Sequence, residues 1–520
     1  MAAATATASR AESRAALGRY PRTGRLVSCF APVALSLALG LWGITREGTM
    51  WRDESVTYQV AHRSLSETVA LLHHADAVHG LYYLFMHGLF AVWEGGLITL
   101  RLPSVLATAL TAGLVGITAL RLTARPVAGL LSGLVFAVTP EVQMYAQEGR
   151  SYAMVCALVA VATYLFVTLM QRTSKARWCC YALAVLTASL LHEFALLALL
   201  AHGITLYRFR PPARIRRHFA VSVAGVLIGL LPLAVLSMSQ SSQVSWIGGP
   251  TLREWFEIAG VALAASACAA YLSRPGRQAD VTRLAFPLAI VPSATLLLAA
   301  VHEPMYVDRY VLYTNIGWAL LVGTTVTCLT DDAGKTALLQ NRKIRVSAAV
   351  GVVAALVTAM LPVTLQMRTP DSRKDDVTAI STEVERLSDV GDAVLFAPAR
   401  RREWMLSYPH QFTGLTDVAL KDEPATSGTL QGVELAPGDI RERLAHVDRI
   451  IVLSDPKGQP VDSNAEETVK REVLDRDFAE CRRVELKGGQ VTLYARSACP
   501  PVIPDAMPDH GNTPSPAATD

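Results

Sequence analysis

The sequence predicts a polytopic α-helical membrane protein of about eleven spans, with a small extracytoplasmic α/β domain near its C-terminal end. Three observations predict it. Of the 520 residues 51% are hydrophobic and 18% charged, and mean hydropathy is +0.31. The charges fall in short clusters between apolar runs, several of which approach the ~20 residues that cross a hydrocarbon core. Lys and Arg, finally, segregate to alternate connections between those runs. The net charge of +4 therefore says little about an acidic partner, and no nucleic acid is expected as one.

The first run is Leu26–Ile44, followed by Val127–Val138, Tyr152–Met170, Ala220–Leu236, Phe286–Val301, Val311–Leu329 and Val346–Leu365. Arg10, Arg14, Arg19, Arg22 and Arg25 precede the first run, and no small-residue cleavage pattern closes it. This reads as an uncleaved first span with a cytoplasmic N-terminus. Two stretches are ambiguous: His79–Trp93 is short for a span, and Trp178–Tyr207 is long for one and short for two. Placing the first along the outer surface, and dividing the second into two short helices with His192-Glu193 at the tip, resolves both. The inner segments then hold 22 Lys and Arg and the outer ones seven: Arg46, Arg52, Arg63, Arg101, Arg150, Arg253 and Arg309. The expected organisation is a cytoplasmic tail (1–25), a transmembrane module (26–367) whose first outer loop is 46–98, an extracytoplasmic domain (368–499) and a disordered tail (500–520).

In the C-terminal part, Val377, Ile380, Val384 and Leu387 share one face of a helix over Asp375–Ser388. Strands are expected at Ala393–Ala397 and Arg449–Ser454, and a helix from about Glu466 to Leu474. Gly488-Gly489 signals a hairpin between Arg482–Leu486 and Gln490–Ala495. No catalytic motif is visible there. Six of the eight cysteines fall in apolar runs and read as small core residues. Cys481 and Cys499 are either a disulfide or two free thiols.

The outer segments concentrate ionisable and aromatic residues, which are costly at membrane-embedded helix ends unless they face a cavity or a partner. They read Trp51-Arg52-Asp53-Glu54, His79-Gly80-Leu81-Tyr82-Tyr83, Arg101-Leu102-Pro103-Ser104, Gln147-Glu148-Gly149-Arg150-Ser151-Tyr152 and Arg309-Tyr310. In this order, over roughly the first 310 residues, they resemble the GT-C glycosyltransferases, in particular bacterial relatives of protein O-mannosyltransferases and of the aminoarabinose transferase that modifies lipid A (family 39-like). Many relatives have His-Pro-Pro-Leu-Tyr-Tyr where this chain has His79-Gly80-Leu81-Tyr82-Tyr83.

The resemblance implies transfer of a sugar from a polyprenyl phosphate to a glycan, lipid or protein acceptor at the outer face. An acceptor hydroxyl must lose its proton as it attacks the anomeric carbon, and a carboxylate in reach can take it. Asp53 is the candidate base, with inversion implied by single displacement. Glu54, on the other side of an extended segment, would orient Asp53 or touch the acceptor. The departing phosphate calls for cations or donors, and Arg150, Arg309 and His79 are placed to supply them. Tyr83, Gln147, Glu148, Tyr152 and Tyr310 complete the expected substrate-binding set.

Structural readings stand beside these. Arg150 and Arg309 also fit snorkelling anchors, and Tyr82, Tyr83 and Tyr310 fit an aromatic belt. Arg101-Leu102-Pro103-Ser104 fits a helix start, and His192-Glu193 a cap between two short helices. His73, His74, Asp76 and His79 are metal-ligand types, but their spacing forms no recognisable site and the resemblance requires no cofactor; a divalent cation is left open. The alternative function is a transporter or a lipid or glycan flippase, which would place charges at midplane in two matching halves. Here they gather at one face without an internal repeat. A non-enzymatic scaffold would leave Asp53-Glu54 and Gln147–Tyr152 unexplained.

Overall fold

A computed structural model describes residues 22–240, 248–333, 358–497 and 499. The expectations for most of the N-terminal tail, most of the Val346–Leu365 run and the tail from Pro500 lie outside the described residues. The chain separates into two compact units. One runs to Ala379 and also contains Glu403–Tyr408 and Asp422–Val433. The other contains Ile380–Arg402, Pro409–Lys421 and the chain from Glu434.

The first unit is helical: α1 (Arg22–Leu41), α2 (Arg52–Ala61), α3 (Leu65–His74), α4 (Gly80–Val92), α5 (Gly96–Thr123), α6 (Pro126–Val138), α7 (Pro140–Ala146), α8 (Tyr152–Gln171), α9 (Lys175–Leu191), α10 (Leu197–Phe209), α11 (Ala213–Ser239), α12 (Leu252–Leu272), α13 (Ala279–Ala299) and α14 (Thr314–Ala333). The starts are written locally. Ser64 with Glu67 and Thr251 with Glu254 form capping boxes, and Pro126 and Pro140 occupy first-turn positions.

Among the described residues six helices are long and apolar enough to cross a membrane: the one from Thr23, α5, α8, α11, α12 and α13. The pair α6–α7, bent by 63°, makes a seventh if counted as one broken span. The molecule is thus a multi-pass membrane protein. Helices stand where the sequence predicts them, but α9 and α10 have 17 and 13 residues. Neither is among the six: α9 sits at the lower edge of the length that crosses a bilayer and α10 falls short of it. His79–Trp93 corresponds to the 13-residue α4.

Small residues let the helices close up, since in lipid their association rests on packing rather than on apolar burial. A Cβ at Gly116 of α5 would stand 2.2 Å from the carbonyl of Ser28 in α1, and one at Gly323 of α14 would stand 2.4 Å from the backbone of Ser132 in α6.

In the second unit Val377, Ile380 and Val384 of α15 (Val377–Leu387, whose first turn belongs to the other unit) are buried as its pattern predicts. Strands β1 (Ala393–Ala397), β2 (Thr416–Asp417), β3 (Arg449–Ser454), β4 (Ala479–Leu486) and β5 (Gly489–Ala495) form a sheet ordered β2-β1-β3-β5-β4. The first three are parallel, and β3-β5-β4 are antiparallel. Buried Arg402 and Lys470 share Glu434, with Asp417 and Glu467 as their further partners. Cys481 and Cys499 are disulfide-bonded.

Candidate active site

Trp51-Arg52-Asp53-Glu54 is not the extended segment expected but leads into the first turn of α2. Asp375 Oδ1 accepts from the Arg52 N–H at 2.6 Å and so satisfies one of the orphan donors of that turn. Successive helical residues are about 100° apart, and this sends the two carboxylates into different surroundings.

Glu54 is fully buried. Both of its oxygens accept from Arg101 at 2.7 Å, Oε2 also accepts from Arg46 at 3.3 Å, and Oε1 accepts from the Gly149 N–H at 3.0 Å. Gly149 is required for that approach, because a Cβ there would lie 2.5 Å from the Leu100 side chain. Arg101 further donates to the carbonyls of Ile44 and Thr49, and Arg46 to that of Gln147. Arg46 and Glu47 have φ of 48° and 57°, left-handed values that cost energy in non-glycine residues and persist where the surroundings impose them. Gln147 donates to the carbonyls of Gly40 and Trp42. Glu148 is buried against Arg373 at 3.0 Å, and Ser104 donates to its carbonyl. Three separate sequence motifs are thereby locked into one buried ionic lattice. Such a lattice is costly to break, since removing one partner strands a buried charge.

Three expectations change here. Gln147 and Glu148 point into the lattice and not toward the cluster around Arg309. Glu54 is held away from Asp53. Arg101-Leu102-Pro103-Ser104 is no helix start: α5 begins at Gly96, and Arg101 clamps Glu54.

Asp53 faces a second cluster. Its carboxylate pairs with Arg309 Nη2 at 3.5 Å and keeps 20% of its side-chain surface exposed. Arg309 lies beside the paired rings of Tyr152 and Tyr310, each 5.7 Å from its guanidinium, and donates to the Tyr152 hydroxyl at 3.1 Å. Arg150 donates to His79 Nε2 and, at 3.4 Å, to the hydroxyls of Tyr83 and Thr57. Tyr83 donates to Asp76. His79, Tyr83, Arg150, Tyr152, Arg309 and Tyr310, all predicted from sequence, therefore meet around Asp53.

Sequence reasoning missed Asp76, His192, Arg46 and Arg373. Asp76 and His79 separate from His73 and His74, which lie on an exposed stretch of α3. Among the described residues no group of three His, Cys, Asp or Glu is placed to hold a metal. The backbone of His192 does link α9 to the turn Glu193–Leu196, but its ring enters the cluster, 4.3 Å from that of Tyr310. No sequence signal marks it, because its neighbours arrive from distant helices.

Four residues past His192 in the chain, an apolar groove of about 430 Å³ begins at Leu196 and is lined also by Leu199, Gly203, Tyr207, Phe219 and Leu227 among others. From Leu196 to Tyr207 it follows α10 for about 16 Å at the helical rise.

No family model and no curated protein sequence matches the chain. Solved structures do. ArnT, an aminoarabinose transferase, from Cupriavidus metallidurans bound to undecaprenyl phosphate aligns at 13% identity with a TM-score of 0.57, over 93% of this chain and all of ArnT. The same protein in the apo state aligns at 13% identity and 0.54, over 91% and 99%. Mycobacterial arabinofuranosyltransferase AftD covers 92% of this chain and 42% of its own length, at 15% identity and a TM-score of 0.42. The likeness to ArnT is one of fold.

Proposed function

We propose that the protein is a membrane glycosyltransferase that moves a sugar from a polyprenyl-phosphate donor to an acceptor hydroxyl at the extracytoplasmic face. The observation that carries this is the ion pair of Asp53 with Arg309, set among Arg150, His79 and Tyr152 and partly open. Asp53 takes the proton of the acceptor hydroxyl while its oxygen attacks the anomeric carbon from the side opposite the phosphate. The bond from that carbon to the phosphate oxygen breaks, and the configuration inverts. The phosphate departs with the bonding pair, and Arg150, Arg309 and His79 meet the charge it develops. Glu54, in the lattice, acts as a positioning residue that holds the first turn of α2. The fold shared with ArnT, solved with undecaprenyl phosphate, supports a polyprenyl donor, and the apolar groove offers room for its tail. The asymmetry of Lys and Arg supports the outward orientation of the site.

The test is to incubate membranes carrying the protein with labelled polyprenyl-phosphate sugars, comparing wild type with Asp53→Asn. Transfer of one sugar by wild type, reduced about 10²–10⁴-fold in the variant at equal protein level, supports the reading. Equal transfer by the variant removes Asp53 from the chemistry.

A further inference from the structure

His192 sits at the junction of the ionic cluster and the apolar groove. It is 4% exposed, and its Nδ1 is buried without a hydrogen-bond partner. Buried polar atoms are nearly always paired, so an orphan one asks what is missing. The ring borders a narrow gap, too tight for a water molecule in this structure, whose other walls include Tyr152, Arg309, Tyr310 and Tyr313. Ring centroids lie 4.3 Å away for Tyr310, 5.9 Å for Tyr152 and 6.1 Å for His79. His192 and Arg309 therefore share the same two tyrosine rings as walls. The nearby His79 also has an orphan Nδ1. Because its Nε2 accepts from Arg150, its hydrogen resides on Nδ1, leaving a buried donor with nothing to receive it. One turn beyond His192, Leu196 begins the apolar groove.

We propose that His192 is a phosphate-binding residue, a hydrogen-bond donor to a lipid phosphate whose isoprenoid tail lies along α10 in the adjoining groove. With its hydrogen on Nδ1, the imidazole donates to a phosphate oxygen while Arg309 supplies the charge, and the side chains that close the gap part to admit the phosphate. This rests on the polyprenyl-phosphate reading above and adds a residue and a head-to-tail direction to it. A neutral imidazole suits the position, because it completes the seat without a further buried cation beside Arg150 and Arg309.

The experiment is calorimetric titration of the purified full-length protein in detergent with three probes: farnesyl phosphate, farnesol and inorganic phosphate. His192→Phe keeps a ring against Tyr310 and Phe194 and removes both nitrogens; His192→Asn returns an N–H donor near Nδ1. Wild type should prefer farnesyl phosphate to the other two probes. H192F should weaken farnesyl phosphate about tenfold and leave farnesol unchanged, and H192N should recover to within about threefold. If wild type discriminates and H192F binds farnesyl phosphate as well as wild type, the role of His192 is overturned while the donor reading stands. Equal weakening of farnesol by H192F reduces His192 to a packing residue. If wild type does not distinguish farnesyl phosphate from farnesol, the donor reading itself falls. Inorganic phosphate binding as tightly as farnesyl phosphate overturns the lipid assignment. Melting curves check that each variant folds, and H192N decides the question if H192F does not.

Discussion

Asp53 and Glu54 are neighbours in the first turn of α2, yet their carboxylates enter separate worlds. Glu54 is sealed among Arg101, Arg46 and the Gly149 N–H, while Asp53 stays partly open beside Arg309. A pair that reads as one acidic motif divides into a partly open carboxylate and a buried anchor.

That division makes the two amides distinguishable. Glu54→Gln leaves two buried guanidinium groups short of their counter-charge, a loss of about 3–5 kcal/mol, and should lower the melting temperature in detergent and the amount of folded protein. Asp53→Asn leaves an acceptor oxygen beside a single guanidinium in a pair that is partly open on the Asp53 side, and should cost less stability than Glu54→Gln while lowering transfer about 10²–10⁴-fold. Equal melting temperatures for the two variants would contradict the assignment.

Acid should act through Glu54. Burial pushes its carboxyl up, but the guanidinium groups of Arg101 and Arg46 prevail and hold it at about 2. A folded pKa below the unfolded value of ~4.3 contributes stability that is full above pH ~4.3 and is lost as pH falls toward about 2. Wild type should therefore lose melting temperature over that window more steeply than E54Q. Parallel curves would sink the account.

Gly149→Ala forces a methyl group to within 2.5 Å of Leu100, and overpacking of this kind costs about 1–3 kcal/mol. The displaced N–H also abandons Glu54. We expect a lower melting temperature, and no rescue by Leu100→Met, which keeps the volume. Leu100→Ala, which makes room, should recover part of the loss.

Arg309→Gln removes the partner of Asp53 and a cation of the proposed phosphate seat. Transfer should fall by 10²-fold or more in kcat/KM, with Arg309→Lys recovering little, because a point charge does not reproduce a fork that bonds Tyr152 through Nε and meets Asp53 through Nη2. Full activity in R309K would argue that charge alone matters.

Gly203 lies in the groove, where a Cβ would meet only Phe219 at 3.8 Å. Gly203→Leu should therefore fill the groove without straining the helix. The expected result is a raised KM for long-chain donors, little change for short-chain ones, and an unchanged melting temperature. An equal effect on both chain lengths would place the tail elsewhere.

The sequence by itself determined the membrane character, the apolar helices and four of the five strands of the C-terminal sheet; the two-residue β2 carries no pattern. Runs of apolar residues, capping boxes at Ser64 and Thr251, first-turn prolines and the Gly488-Gly489 turn are local signals, and each acts on its own neighbourhood. It also placed Asp53, His79, Arg150 and Arg309 in one candidate site, because charge beside a membrane span is rarely idle. Only the tertiary structure decided which of the charges are scaffold. Glu54 meets residues 47 and 95 positions away, Glu148 meets Arg373, and His192 acquires its surroundings from α8 and the Tyr310 segment. A carboxylate's role depends on what lies within about 4 Å of it, and no pattern along the chain records which distant residues fold to that distance.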